Sequence, residues 1–222
     1  MTERLDLDSQ FAGRIDAIDK RVKRLETMEG LSFAGGGWTE IKTYTVEVGV
    51  ETSISIQNIP PLFLHLMIIV NGRTDSAPAD TLSMRMNNDS GDNYWYQYGR
   101  AGNGPGCLLK CAASFPALTD RISMGHKPGP CWLGTPLYDD IFGVCNIWIP
   151  DYRNQYKHKE VLFDNHYVVA PAEEINPVMW RAWGGGTWHS NAPITRLDFP
   201  TRFVKNSKIS VYGIGGTFEE FA

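Results

Sequence analysis

Between Arg14 and Glu26 the apolar residues Ile15, Ile18, Val22 and Leu25 are spaced three, four and three apart. That spacing is the a/d seam of a heptad repeat, with Ile15 and Val22 at a and Ile18 and Leu25 at d. Arg14 and Arg21 then fall at g, and Asp19 and Glu26 at the following e positions. In a parallel coiled coil each g side chain reaches the next e side chain of a neighbouring helix, so both interchain pairs join an Arg to a carboxylate. β-Branched residues at both a positions and Ile at one d favour more than two strands. The segment therefore predicts a parallel trimer, against the simpler alternative of a lone amphipathic helix lying on a globular domain. Two heptads are close to the length at which an isolated helix is marginal in water. Contacts between copies must therefore continue into whatever follows.

Gly30 is placed as a helix-ending residue, and Gly35, Gly36 and Gly37 read as a hinge. The expected organisation is a coiled-coil stalk or anchor over residues 1–30, a glycine hinge over 31–37 and a β head over 38–222. Upstream of Ile15 the heptad weakens, because Asp8 occupies an a position. That end is expected to bind another protein.

Net charge is −4, and no dense Lys/Arg run lies outside the helix, so a nucleic-acid partner is not expected. No apolar stretch reaches the ~20 residues needed to span a bilayer, and the polar start predicts no secretory signal. Cys107, Cys111, Cys131 and Cys145 are then expected as reduced thiols. The alternative is a Cys₃His metal site, since Cys107, Cys111, His126 and Cys131 loosely fit its spacing.

After Trp38 the pattern changes to period two. Tyr44, Val46, Val48 and Val50 alternate with more polar residues, as do Ile54 and Ile56, and Leu82, Met84 and Met86. Each alternation predicts a half-buried strand. Leu62 to Val70 is apolar on both faces, as in a central strand covered on both sides. Ile141 to Ile149, Ile194 to Phe199 and Lys208 to Ile214 complete the readable strands, whereas 99–140 has no clear pattern. Short strands joined by Gly, Pro and Asn turns predict a mainly β fold, an antiparallel sandwich of jelly-roll type.

Three segments together resemble proteins of tailed-bacteriophage virions. They are Ile59-Pro60 with the alternation Leu62, Leu64, Leu66, Ile68; Leu82, Met84 and Met86 followed by Asn87 through Tyr94; and Pro193-Ile194-Thr195-Arg196-Leu197 closing on Ser207 to Ile214. The resemblance covers roughly residues 52–98 and 192–215. It implies a virion structural protein of the fibre, tail or head-appendage kind and supplies no catalytic residues. The Trp-rich stretch and the segment between Gly99 and Tyr138 lie outside it, so binding specificity there is this chain's own.

Asn87 to Asn93 is rich in oxygen ligands, but it lacks the closing Glu of a calcium loop. The same residues make turns between strands, and a turn with no metal is the expectation. Tyr94, Tyr96 and Tyr98 share one face of a strand and are assigned to the exposed or interface side, with Trp95 in the core. Trp180, Trp183 and Trp188 surround Gly184, Gly185 and Gly186, and read as an exposed loop because glycine offers little packing. An exposed aromatic patch marks an interaction site, so these six residues are the candidate contacts. A host-surface glycan or protein would suit them. The five histidines form no triad, and the adjacent Asp139 and Asp140 would point to opposite faces of a strand. Neither an enzyme nor a cofactor is expected.

The leading expectation is a homotrimeric virion appendage, anchored by its N-terminal segment and touching the host through its head. The alternative is a capsid-decorating head fibre or tail adaptor with a purely structural role. A cellular carbohydrate-binding module fits the aromatics but not the missing signal segment. In the heptad reading, Ile18→Asp places an unpaired charge in every seam, so sedimentation should show loss of the trimer. Lys20→Asp, at the outer f position, should leave it unchanged.

Overall fold

Leu66, Ile68 and Val70 are fully buried, while Met67 and Ile69 between them are only half-buried. One side of this strand therefore faces a core and the other does not. The computed structural model describes residues 37–74, 81–102, 110–113, 118–126, 141–169 and 178–215. The heptad residues Arg14, Ile15, Ile18, Asp19, Arg21, Val22, Leu25 and Glu26 lie outside them, as do Cys107, Cys131, Asp139 and Asp140. The described part is mainly β, with every paired strand antiparallel and no helix among the described residues.

An eight-stranded sheet runs in the order β1 (Trp38–Thr45), β14 (Lys208–Ile214), β4 (His65–Gly72), β9 (Gly143–Ile149), β10 (Lys159–Val169), β11 (Val178–Trp188), β6 (Tyr94–Gly102), β7 (Lys110–Ala113). A four-stranded sheet runs β3 (Ile54–Gln57), β12 (Arg196–Phe199), β5 (Thr81–Met86), β8 (Ile122–His126). The short strands β2 (Val50–Glu51) and β13 (Phe203–Val204) pair with each other. The chain passes repeatedly between the two larger sheets. It goes from β1 to β3, back to β4, across to β5, later from β8 to β9, and finally from β12 to β14. The hairpin β10–β11 and the pair β6–β7 extend the large sheet beyond β9.

One core joins the two sheets. Leu66, Ile68, Ile147, Ile149, Ile209 and Val211 come from the large sheet, and Ile54, Ile56, Leu82, Met84, Leu197 and Phe199 from the small one. Cys145 is a buried thiol on β9, and burial pushes its pKa up. Tyr152, just after β9, donates to the Pro60 carbonyl and accepts from Phe63 N at 3.4 Å. This pins the segment that follows Pro60-Pro61, and burial pushes the phenol up to about 12. Phe63 lies directly on Gly213, where a Cβ would collide with its ring.

Three strand expectations need correction. The alternation from Tyr44 to Val50 is not one strand: β1 starts earlier and ends at Thr45. Gly49 adopts φ 64° and Val48 is 82% exposed, so the chain turns there to reach β2. The β4 strand is not covered on both sides by the described residues: His65, Met67 and Ile69 on its outer side are only half-buried and Asn71 is exposed. Trp180 to His189 is not a loop, since residues up to Trp188 form the long strand β11.

The approach to β8 is held to β5 through a carboxylate. Arg121 donates to Asp120 at 2.8 and 2.7 Å, and Arg85 pairs with the same carboxyl and donates to the Asp120 carbonyl at 3.0 Å. The Asp120 carboxyl is held at about 2, first by the Arg121 hydrogen bonds, against the opposing effect of burial, and then by Arg85. A carboxylate depressed in the folded state stabilises it above the unfolded pKa of about 4, and that contribution disappears as pH falls towards the folded value. Between pH 4 and pH 2, thermal melts should therefore fall more steeply for the native chain than for Asp120→Asn.

Candidate functional site

On the outer side of the large sheet, strand register brings together side chains far apart in sequence. Asp164 on β10 stands opposite Trp183 on β11, and His166 stands opposite Arg181. Arg181 donates to both Asp164 oxygens, Nε to Oδ1 at 2.8 Å and Nη2 to Oδ2 at 2.7 Å. His166 Nε2 lies 3.3 Å from Asp164 Oδ1. The paired geometry is the fork-to-fork contact that Arg makes with carboxylates. Arg181 lowers the pKa of Asp164, burial opposes this, and His166 adds to the lowering. Asp164 in turn raises that of Arg181.

Trp183 completes the group. Its ring lies along Gly99 of β6, where a Cβ would stand 3.3 Å away, and the Arg181 guanidinium is 5.8 Å from its centroid. Because Gly99 has no side chain, the indole can lie over the sheet, and Trp183 stays 39% exposed. The result is an aromatic surface bordered by a guanidinium, an imidazole and a carboxylate. Such a combination can stack on the C–H face of a sugar ring while donating to and accepting from its hydroxyls.

A second aromatic group lies at the end of the same strands, where Trp95 stands opposite Thr187, four positions from the Gly99–Trp183 pair. Trp95 is 43% exposed and meets His189 edge-on at 5.0 Å, and His189 stacks on His158 at 5.0 Å. Among the described residues no cluster of three or more His, Cys, Asp or Glu side chains converges as a metal site would require. No helix of the described residues is long and apolar enough to cross a membrane.

The six expected contact residues separate. Only Trp183 stands well exposed. Tyr94 and Trp188 are 0% and 3% exposed and belong to the core. Tyr96 and Tyr98 pack against it, and Trp180 is half-buried, with the Arg100 guanidinium over its ring at 5.5 Å. The two sides of β6 are thus the reverse of the expectation, with the tyrosines inward and Trp95 outward. Gln97 has the parity of Trp95, and a polar residue on that side was the available signal.

Trp188 is buried because it has a partner for its one polar atom. Its Nε1 donates to Asp89 Oδ2 at 2.7 Å. Asp89 also accepts from Gly91 N at 2.9 Å and from the Asn93 amide at 3.0 and 3.2 Å. Burial pushes the Asp89 pKa up, but these hydrogen bonds outweigh it and the net direction is down. The Asn87 to Asn93 segment is thus a turn in which the Asp89 carboxylate is engaged by the protein itself.

The glycines of β11 mark close packing. A Cβ on Gly184 would run into the Gln97 carbonyl and come within 2.7 Å of the Tyr98 Cα, and one on Gly186 would stand 2.7 Å from the Trp95 carbonyl. Glycine inside a strand often marks such an approach of another backbone. Asp164, His166 and Arg181 escaped the sequence reading. Val161, Phe163 and Tyr167 alternate with Leu162, Asp164 and His166, but Asn165 interrupts the inward side.

Compared with known proteins, the chain matches no family model, no curated protein and no solved structure.

Thermal melts separate the tryptophans. Trp188→Ala removes a core ring and leaves Asp89 without its indole donor, and should cost ~3–5 kcal/mol. Trp183→Ala should stay within about 0.5 kcal/mol of the native chain, as substitutions at exposed positions usually do.

Proposed function

We propose that this chain is a non-enzymatic structural protein of a bacteriophage virion, a homotrimeric fibre- or spike-type appendage whose head touches the host surface. The observation that carries this reading is the strand order. Without the β6–β7 and β10–β11 additions, the sheets read β1-β14-β4-β9 and β3-β12-β5-β8. That interleaving of four strands with four fits a double-sheet jelly roll, an architecture used by viral capsid and lectin domains. A fold alone does not fix a function. Two further features favour this one.

The Arg14 to Glu26 heptads would gather three heads on a stalk, and the resemblance to phage virion proteins falls on strands of the interleaved core. The host-facing surface is then the added part of the sheet, with Trp183, Arg181, Asp164 and His166 at its centre. Three copies of one modest site on one stalk bind a repetitive surface with high avidity. A host-surface glycan, itself repetitive, is the partner this arrangement suits, and the segment before Ile15 would join the appendage to other virion proteins.

Adsorption to host cells tests the proposal. Trp183→Ala and Arg181→Ala should leave melting and trimer unchanged. Each should lower cell binding at least tenfold, since interface Trp and Arg residues often contribute ~2 kcal/mol or more and avidity multiplies the loss. Unaltered adsorption by both variants would remove the host-contact role. It would favour the decorating or adaptor alternative, which immunogold labelling of intact particles would locate.

A further inference from the structure

The outer side of the large sheet carries a second feature, which ends at Leu162, two residues before Asp164 of the Trp183 group. Tyr212 on β14 stands opposite Met67 on β4, Met67 opposite Trp148 on β9, and Trp148 opposite Leu162 on β10. Trp38, on the edge strand β1, extends the row, with its ring 5.8 Å from that of Tyr212. Five large apolar side chains thus cross five adjacent strands, a span of about 19 Å at the usual strand spacing. Trp38 is 55% and Leu162 57% exposed at the two ends, and the three between them are half-buried. The outward side of a two-layer antiparallel sheet is ordinarily polar, so a continuous apolar row indicates a covering partner.

We propose that this row is the head-to-head contact of the trimer, the three rows turned towards the shared axis so that each is covered by the other two copies. The inference rests on the trimer reading above and adds to it the face by which the heads meet. Chain length argues for a second copy as the occupant. Trp38 follows the proposed end of the stalk at Gly30 by only eight positions. An eight-residue chain with the statistics of a glycine-rich coil has an r.m.s. span of about 16 Å, and full extension allows no more than ~28 Å. Helices in a coiled coil lie about 8–10 Å apart, so three Trp38 residues are tethered close to one axis. A folded domain of this length has a radius of gyration of about 16 Å, or roughly 40 Å across. Three such domains leashed that tightly must crowd at the edge bearing Trp38, which is where the row begins. The leash also holds the faces at an effective concentration in the millimolar range, so even a weak contact is populated.

A photoreactive phenylalanine analogue incorporated at single positions of the full-length chain tests this. Placed at Trp38 or Leu162, it should yield covalent dimers and trimers on a denaturing gel after illumination. Placed at the exposed Gln57, on the other sheet, it should yield monomer only. In parallel, Leu162→Lys in the full-length chain should lower the melting temperature by several degrees, although its side chain is largely exposed in a single copy. A trimer by sedimentation that gives no crosslink from Trp38 or Leu162, or one that crosslinks equally from Gln57, overturns the inference and leaves the trimer standing. A monomer by sedimentation overturns the trimer reading and the inference with it.

Discussion

A chain that lays alternate strands into two sheets must cross between them, and the crossing from β5 to β6 is where this structure is secured. Asn87, directly after β5, adopts φ 52° and Asn88 φ 58°, a left-handed conformation that Asn tolerates better than most residues. The Asn87 carboxamide accepts from Thr195 N at 2.9 Å and Arg196 N at 3.1 Å, and donates to the Pro193 carbonyl at 2.8 Å. It thereby fixes the approach to β12 in the small sheet. Two residues on, Asp89 holds Trp188 at the end of β11 in the large sheet. One turn ties both layers together, and Tyr94 closes it by accepting from Met86 N at 3.0 Å and donating to the Asp89 carbonyl at 3.0 Å.

The same turn leads into a buried ionic group. Asp198 is 5% exposed and would be costly without partners. It accepts from Arg196 Nε at 2.8 Å, Ser55 Oγ at 2.5 Å and Asn88 N at 3.1 Å, which joins β12 to β3 and to the β5–β6 turn. The segments 59–68, 87–94 and 193–198 therefore meet in space, Ile59 N also donating to the Thr195 carbonyl at 3.0 Å. Asn87 and Asn88 bond to residues between Pro193 and Asp198, and Gly213 of the closing motif is the glycine under Phe63. In the folded chain each of these motifs has a structural task.

What the sequence revealed follows from that division. β3, β4, β5, β9, β12 and β14 were legible because one side of each is apolar and the alternation survives. β10 and β11 were not, for two physical reasons. Asn165 interrupts the inward side of β10, where its amide donates to the Met124 carbonyl at 3.1 Å, so a buried residue looks like a surface one. Glycines at 184 to 186 imitate a loop in β11, although two of them are required by the closeness of β6. The aromatic run of β6 was only weakly legible, because either side could have been buried and Gln97 was its one polar cue. Only pairing with β11, which places Gly99 against Trp183 and Tyr94 against Trp188, decides it. A site assembled from three strands by register cannot be seen in any one of them.

The distribution of labour on the large sheet follows from how it was enlarged. β1, β14, β4 and β9 have the small sheet beneath them, and their outer side carries the apolar row from Trp38 to Trp148. β10, β11 and β6 extend the same layer, and their outward residues change from Leu162 to Asp164, His166, Arg181 and Trp183 within a few positions. Backbone hydrogen bonds hold the added strands as firmly as the original ones, so a site built there is rigid without needing its own core. The inward side of the extension is still packed, through Phe163, Tyr98, Ile122 and Trp188. Outward substitutions are consequently free of packing constraints, whereas inward ones are not. A domain built this way can change the exposed side of three strands while the turn at Asn87 and the core between the sheets stay as they are.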